Sequence, residues 1–401
     1  MRGERQVIMK ILIVIDEYLN NSNGMCISTQ RFVSLFREAG HDVRIVATAS
    51  KEDADKLDYP VREFIIPIFQ KIIRKEGFRL AFPDLRVLKK AVKWADIVHI
   101  EDPFLLCYEA AKLARKMKKP CTGTFHIHPE NLSYPVKFGR FKLANFLLLQ
   151  AFKATYDQCD TIQCPTDMVR ERLANEGFKS ELVVVSNGIK GDGKEVVKRK
   201  KPKDLHDKFV IISTGRYSDE KDQKSLLKAL QLSKHKDDIQ VILAGKGQLE
   251  NELREEGNKL KNKPIMKFMS QDELKKTLSY CDLYVHCAKV EIEGMSCMEA
   301  FAAGVVPVIA AAPLSSTSSY ALDQNNRFDA GNLQELADKI DFWFEHPDKL
   351  AESRRNYIAL GKSLTVENSS MDVIKMFEET ALKVQQRIRE ERNKDSIIVL
   401  Q

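Results

Sequence analysis

The feature that most limits this chain is a series of short, wholly apolar runs set between helical patterns. The first, Lys10-Ile11-Leu12-Ile13-Val14-Ile15, shows no in-and-out alternation after its lysine. A strand of that kind is buried on both faces, as in a parallel sheet covered by helices on both sides. A turn-rich loop, Asn20-Asn21-Ser22-Asn23-Gly24, leads to a helical stretch at Ser28–Ala39, which Gly40 ends as a C-terminal cap. Further strands are read at Asp42–Ala47, Val61–Ile66, Ile97–Ile100, Cys121–Phe125, Thr161–Cys164 and Leu182–Val185. Strands that alternate with helices imply a doubly wound α/β sheet.

The pattern breaks at residues 190–207, where a basic, Gly- and Pro-containing segment reads as a linker. A second series follows, with strands at Phe209–Ser213, Gln240–Ala244, Ile265–Phe268, Leu283–His286 and Val306–Ala310. The tail from Met371 carries a charged amphipathic helix. The expected organisation is a first Rossmann-like domain over 1–189, a linker over 190–207, and a second Rossmann-like domain over 208–370. A helix over 371–401 then packs back toward the first domain. In open parallel sheets ligands bind beyond the carboxyl ends of the strands, so two such domains facing each other imply one cleft.

Composition serves mainly to exclude. With 43% hydrophobic and 30% charged residues, disordered, collagenous and low-complexity classes are ruled out. The most apolar short stretch, Ala144–Phe152, is about half the length of a membrane span and includes Asn145 and Gln150. The polar N-terminus lacks a signal-peptide apolar core, which predicts a cytoplasmic chain. None of the eight Cys forms a CxxC pair, so they read as reduced, buried thiols. The adjacent His286 and Cys287 have no further ligand at metal-site spacing. The net charge of +7 is uneven: residues 1–200 carry 34 Lys+Arg against 25 Asp+Glu, the remainder 30 against 32. The basic first half calls for an anionic partner.

Two constellations carry chemistry. After the strand at Phe209–Ser213 comes Thr214-Gly215-Arg216-Tyr217-Ser218-Asp219-Glu220-Lys221, then a helix. A strand, a glycine turn and a helix start direct backbone N–H groups outward, and Arg216 and Lys221 add two cations, a set suited to a diphosphate. The bland alternative is a βα loop with solvated charges. After Leu283–His286 comes Glu291-Ile292-Glu293-Gly294-Met295-Ser296-Cys297-Met298-Glu299. Here Glu291 lies in a loop and Glu299 on the second turn of a helix that starts after Gly294. An anion at a helix start with hydroxyls held by carboxylates is the layout for a sugar nucleotide; acidic residues favoured by the helix dipole are the alternative.

These residues resemble the family 4 glycosyltransferases of the GT-B fold. Glu291 and Glu299 match the family's E-x7-E signature, with Ala300, Gly304 and Pro307-Val308 also in pattern. Gly215, Arg216 and Lys221 match its G-R-x4-K stretch. Ser186-Asn187-Gly188-Ile189, Ala244-Gly245-Lys246-Gly247 and Thr124-Phe125-His126 are similar to three further family stretches. The resemblance runs from Met9 onward. It implies a retaining hexosyltransferase with an acceptor-binding first domain and a nucleotide-sugar-binding second domain. Arg216 and Lys221 would bind the donor diphosphate, Glu299 the ribose, and Glu291 the transferred sugar. Gly294, Met295 and Ser296 would lie near the phosphates and Gly24 near the donor. His126 would be the active-site histidine, with His128 as its rival. No metal or other cofactor is implied, and Asp53-Ala54-Asp55 matches a metal motif by letters alone. The donor expected is UDP-glucose or a similar UDP-hexose, the acceptor a diacylglycerol-type glycolipid or a surface glycan. A catalytically silent sugar-nucleotide-binding protein, a UDP-sugar epimerase and a phosphorylase are the alternatives. The sequence departs from the pattern at Asn23, Asp222 and Glu293, where the family has Gly, Gly and Phe.

The basic excess concentrates in Ile68–Lys93, with eight basic residues against Glu76 and Asp84. Arg86, Lys89, Lys90 and Lys93 share one helix face, and Phe69, Phe78, Phe82 and Trp94 are near. That pattern suits a peripheral contact with an anionic membrane, and equally a solvated helix face. Nucleic acid is not an expected partner, since no binding module is present.

Overall fold

The computed structural model describes residues 7–20, 23–67, 70, 74, 79–133, 142–190 and 199–398. Two compact units emerge: Met1–Pro129, Phe141–Asn187 and Val366–Gln401 form one, Glu130–Arg140 and Gly188–Thr365 the other. Residues 191–198 of the expected linker lie outside the described residues, as do Phe69, Lys71, Lys75 and Phe78.

Among the described residues the first unit holds a seven-stranded sheet, β1 (Lys10–Val14), β2 (Asp42–Thr48), β3 (Tyr59–Val61), β4 (Ile97–Ile100), β5 (Cys121–Thr124), β6 (Thr161–Cys164) and β7 (Glu181–Val184). Its order is β3-β2-β1-β4-β5-β6-β7, with parallel pairing throughout. The β1 run is buried as its apolar character requires, with Ile13 opposite Ile45 on one side and His99 on the other. Helix α1 (Gly24–Glu38) connects β1 to β2. Helices α2 (Leu85–Trp94), α3 (Leu105–Lys116), α4 (Lys142–Tyr156) and α5 (Asp167–Asn175) follow the chain as it turns back across the sheet. Right-handed crossovers place α1 on one face and α2 to α5 on the other. The long C-terminal helix, Val366–Ile398, packs on α1, and its Thr380 hydroxyl meets that of Thr161 at 2.8 Å.

Three sequence readings shift. α1 starts a turn before Ser28 because the Asn23 side chain accepts the Met25 N–H at 3.0 Å and caps the helix there. The strand read at Val61–Ile66 is β3 at Tyr59–Val61. Beyond it the chain pairs with a returning segment, through Phe64 N–H to Leu80 O and Phe82 N–H to Arg62 O, both 2.7 Å. The C-terminal helix begins at Val366 rather than Met371.

The second unit has a six-stranded parallel sheet of β8 (Phe209–Thr214), β9 (Ile239–Ala244), β10 (Ile265–Lys267), β11 (Leu283–His286), β13 (Val306–Ala311) and β15 (Arg327–Asp329), in the order β10-β9-β8-β11-β13-β15. β12 (Val290–Glu291) and β14 (Leu314–Ser315) pair separately. Helices α6 (Gln223–Leu232), α7 (Glu250–Gly257), α8 (Gln271–Leu278), α9 (Met295–Ala302), α10 (Leu333–Glu345) and α11 (Pro347–Ser363) surround one apolar core. Among the described residues, no helix is long and apolar enough to cross a membrane.

Candidate functional site

In the second unit the strand order reverses between β8 and β11, and the crevice beyond the carboxyl ends of such strands is where doubly wound sheets hold ligands. Both sequence constellations leave from these two strands. The loops after β8 and β9 approach backbone to backbone: a Cβ at Gly245 would collide with the Gly215 carbonyl oxygen. Tyr217, buried beneath them, donates its N–H to Lys246 O at 3.1 Å and its hydroxyl to Leu243 O at 2.7 Å. That anchoring fixes the path of the segment carrying Arg216 and Lys221. Arg216 is 44% exposed, and its Nη2 stands 3.5 Å from Glu220 Oε1.

The Lys221 Nζ donates to Glu291 Oε2, joining the two constellations across 70 residues of sequence. Both side chains are largely buried, at 18% and 17% exposed. Glu291 is held by the β12–β14 pairing, and the Ser316 hydroxyl reaches the Glu291 carbonyl at 3.4 Å. On its other side stands His286, with Nε2 3.6 Å from Oε2. Burial raises the Glu291 pKa, but the Lys221 charge and the contact with His286 outweigh it and hold the carboxyl well below the usual range. Burial lowers the His286 pKa against the opposing effect of Glu291. A distance of 3.6 Å is long for a hydrogen bond, so the pairing with Lys221 is the stronger of the two.

Gly294 makes the turn from Glu291 into α9. Its φ of +74° and the place its Cβ would take, inside the Thr317 methyl, exclude a larger residue without rearrangement. The Cys297 and Met298 N–H groups bond back to the Gly294 carbonyl. Among the described residues, those of Met295 and Ser296 remain as donors at the helix start. The Ser296 hydroxyl accepts from Tyr284 at 3.0 Å, and the Tyr284 hydroxyl also meets Thr214 at 3.0 Å, tying α9 to β8 and β11. Glu299 is half-buried on the second turn of α9. The structure thus gathers Lys221, Glu291, Gly294 and Ser296 at the strand ends of one unit, with Arg216 on the same loop and Glu299 on the adjoining helix. His286, Tyr284 and Thr317 had no motif to announce them; the only signal was position, at the end of a strand or after a tight turn.

Gly24 and His126 belong to the first unit. Gly24 is the exposed first residue of α1, with open space where a Cβ would be. His126 follows β5, and its Nε2 lies 2.8 Å from Glu101 Oε2. His128 is fully buried, with Nδ1 2.8 Å from Arg172 Nη1. Glu101, unnoticed in the sequence, is also buried. Burial raises its pKa, but His99 and His126 outweigh that and keep the carboxyl below its ordinary value. A polar pocket of about 420 Å³ in the same unit is lined by Glu17, Thr48, Ser50, Glu63, Arg74 and Arg79. Arg74 and Arg79 come from the basic stretch Ile68–Lys93, and none of the catalytic or donor-binding candidates lines it.

Metal-ligand spacing occurs, among the described residues, at Asp16, Asp102 and Cys107. Two of the carboxylate oxygens serve backbone partners: Asp102 Oδ2 accepts the Asp16 N–H at 2.7 Å, and Asp16 Oδ2 the Ala81 N–H at 2.8 Å. Burial raises both carboxyls, Asp102 to about 6. Asp53, of the letter-match motif, is bound to Lys56 at 2.7 Å on an exposed loop.

Residues 22–192 match the family model described as Glycosyltransferase Family 4, and residues 195–363 that described as Glycosyl transferases group 1. The chain is 25% identical over 320 residues to the α-monoglucosyldiacylglycerol synthase of Streptococcus pneumoniae, covering 75% of this chain and 71% of that one. It is 22% identical over 305 residues to a GDP-mannose-dependent α-mannosyltransferase of Corynebacterium glutamicum, covering 74% and 71%. The crystal structure of Anabaena HepE in complex with UDP matches with a TM-score of 0.71 at 18% identity, over 92% of this chain and 100% of that one. That likeness shows a shared fold.

Proposed function

The chain belongs to the family 4 glycosyltransferases of the GT-B fold, and from that membership we propose that it moves a hexose from a UDP-sugar to a hydroxyl acceptor with retention. The observation that carries this reading is the Lys221–Glu291 pair, which puts a cation and a carboxylate side by side at the switch point of the second sheet. Lys221 and Arg216 neutralise the donor diphosphate, and the Met295 and Ser296 N–H groups add fixed dipoles. Glu291 accepts from hydroxyls of the sugar, Glu299 from the ribose. The bond from the anomeric carbon to the diphosphate breaks, and one to the acceptor oxygen forms. The acceptor proton leaves with the phosphate. Stabilising the departing phosphate is then the main catalytic contribution. We assign His126, whose Nε2 lies 2.8 Å from Glu101 Oε2, as the catalytic histidine of the first unit. No step in this scheme calls on a metal or other cofactor.

For the acceptor we infer a diacylglycerol-type lipid ahead of a surface glycan. The name of the pneumococcal relative supports it, as does the exposed basic face of Arg86, Lys89, Lys90 and Lys93. The test is transfer of labelled sugar from UDP-glucose, UDP-galactose and GDP-mannose to diacylglycerol in vesicles. UDP-hexose turnover that Arg216→Ala weakens about tenfold in donor affinity is expected. Turnover with GDP-mannose alone would sink the donor assignment.

A further inference from the structure

The helical face of the first unit made by α2, α3 and α4 has a surface that the donor chemistry does not use. The three helices lie side by side, α3 packing on both neighbours. All run antiparallel to the strands, so their first turns stand at one rim. At the start of α4, Leu143, Phe146 and Leu147 are 70%, 53% and 59% exposed. Their i, i+3, i+4 spacing makes one continuous apolar stripe. Leu85 and Leu105, at the starts of α2 and α3, are also exposed, at 58% and 47%. Isolated exposed leucines are ordinary, but five large apolar side chains on the first two turns of three adjacent helices are not.

The charge beside this rim is mainly basic, with Asp84 at the start of α2 and Glu109 on α3 as the acidic exceptions. Neither α2 nor α4 contains an Asp or Glu. Arg86, Lys89, Lys90 and Lys93 are all exposed, and among the described residues none of them has an ion pair. Trp94 does not belong to the surface: it is half-buried with the Arg44 guanidinium 4.2 Å above its ring.

We propose that this face docks on an anionic lipid bilayer, with Leu143, Phe146 and Leu147 entering the interface and the α2 cations meeting the headgroups. The charge pattern selects this occupant: apolar side chains alone would equally suit a second copy of the chain, but four unpaired cations on both copies would repel. Docking serves a lipid acceptor, yet rests on exposure and charge alone. The two contributions differ in salt response, since the cations are screened within a Debye length and the apolar stripe is not.

The test uses the full chain with sedimenting vesicles of phosphatidylglycerol and phosphatidylcholine, against phosphatidylcholine alone. Wild type should bind the anionic vesicles and keep part of that binding in high salt. Changing Arg86, Lys89, Lys90 and Lys93 together to Gln should cut binding at low salt by roughly two orders of magnitude or more. Leu143→Gln with Phe146→Gln and Leu147→Gln should remove the salt-resistant part, and Phe146→Trp should show a blue-shifted emission on vesicles. UDP affinity should be unchanged in every variant, so a failed donor assignment and a failed docking surface give different results. Wild type that ignores anionic vesicles at low salt would overturn the proposal. So would an apolar triple variant with undiminished salt-resistant binding, or one that turns a dimeric wild type into a monomer.

Discussion

Replacing Lys221 by Met removes one partner of a largely buried ion pair and leaves the Glu291 carboxylate facing His286 at 3.6 Å. Breaking a fully buried pair costs roughly 3–5 kcal/mol. Both side chains keep about a sixth of their exposure, so the lower end applies, a fall in Tm of roughly 6–12 °C for a unit of this size. The pH dependence is specific. In the wild type Glu291 has a depressed pKa, so its contribution is complete above the ordinary carboxyl value and constant between pH 6 and 8. His286 has a lowered pKa, so wild-type stability declines as pH falls through the ordinary histidine value near 6.5. Without Lys221, whose charge helps lower it, His286 can take a proton and pair with Glu291. A raised pKa stabilises below it and loses that stability as pH rises. The gap between wild type and Lys221→Met should therefore be widest at pH 8 and narrow toward pH 6, as followed by scanning fluorimetry.

Donor binding separates a structural role from a functional one. A charge-assisted contact to phosphate is worth roughly 1.5–3 kcal/mol, so Lys221→Met should weaken UDP binding by roughly 10- to 150-fold in calorimetric titration. Glu291→Gln should bind UDP at least as well as wild type, because Glu291 competes for the Lys221 ammonium, but should lose turnover. The double variant Lys221→Met/Glu291→Gln removes both charges and should recover most of the Tm while UDP affinity stays low. If affinity returned with stability, Lys221 would act only through Glu291, and the diphosphate assignment would be wrong.

Gly294→Ala sets a left-handed φ of +74° against a β-carbon and drives it into Thr317. It should cost about 2 kcal/mol or more. Pairing it with Thr317→Ser, which removes the obstructing methyl, should restore part of the Tm. Glu101→Gln keeps the size of the side chain but removes the charge facing His126 Nε2; kcat should fall at least tenfold with UDP affinity unchanged, and nitrogen NMR should show an altered His126 tautomer or protonation. Asp16→Asn keeps the acceptor for Ala81 and ends the repulsion from Asp102. Since raised carboxyls destabilise the fold as pH climbs from the ordinary value near 4 to about 6, this variant should be more stable than wild type at pH 7–8 and equal to it at pH 4.

What the sequence reveals here follows from how locally each feature is encoded. The strands of a parallel sheet buried on both faces announce themselves in four or five residues, and β4, β6 and β11 lie where the apolar runs put them. The motif loops are legible because each follows a strand directly. β12 and β14 are two residues each and exist only because Val290 and Leu314 meet across 24 residues of chain, so no local pattern carries them. Glu101 is likewise invisible: it follows directly on the strand read at Ile97–Ile100, and its partner His126 comes just after the next strand. The stripe on α4 was present in the sequence as an apolar stretch too short to span a bilayer, and length alone could not say which of its residues would face outward. The same reasoning explains why Lys221 and Glu291 read as separate ligands for separate parts of a substrate. Spacing assigns each to its own loop, but reversal of the strand order between β8 and β11 makes those loops neighbours. Once they meet, the carboxylate that would hold the sugar also sets how readily the lysine gives up its charge to a phosphate. On the proposed roles, donor affinity and turnover are expected to be coupled through this one ion pair.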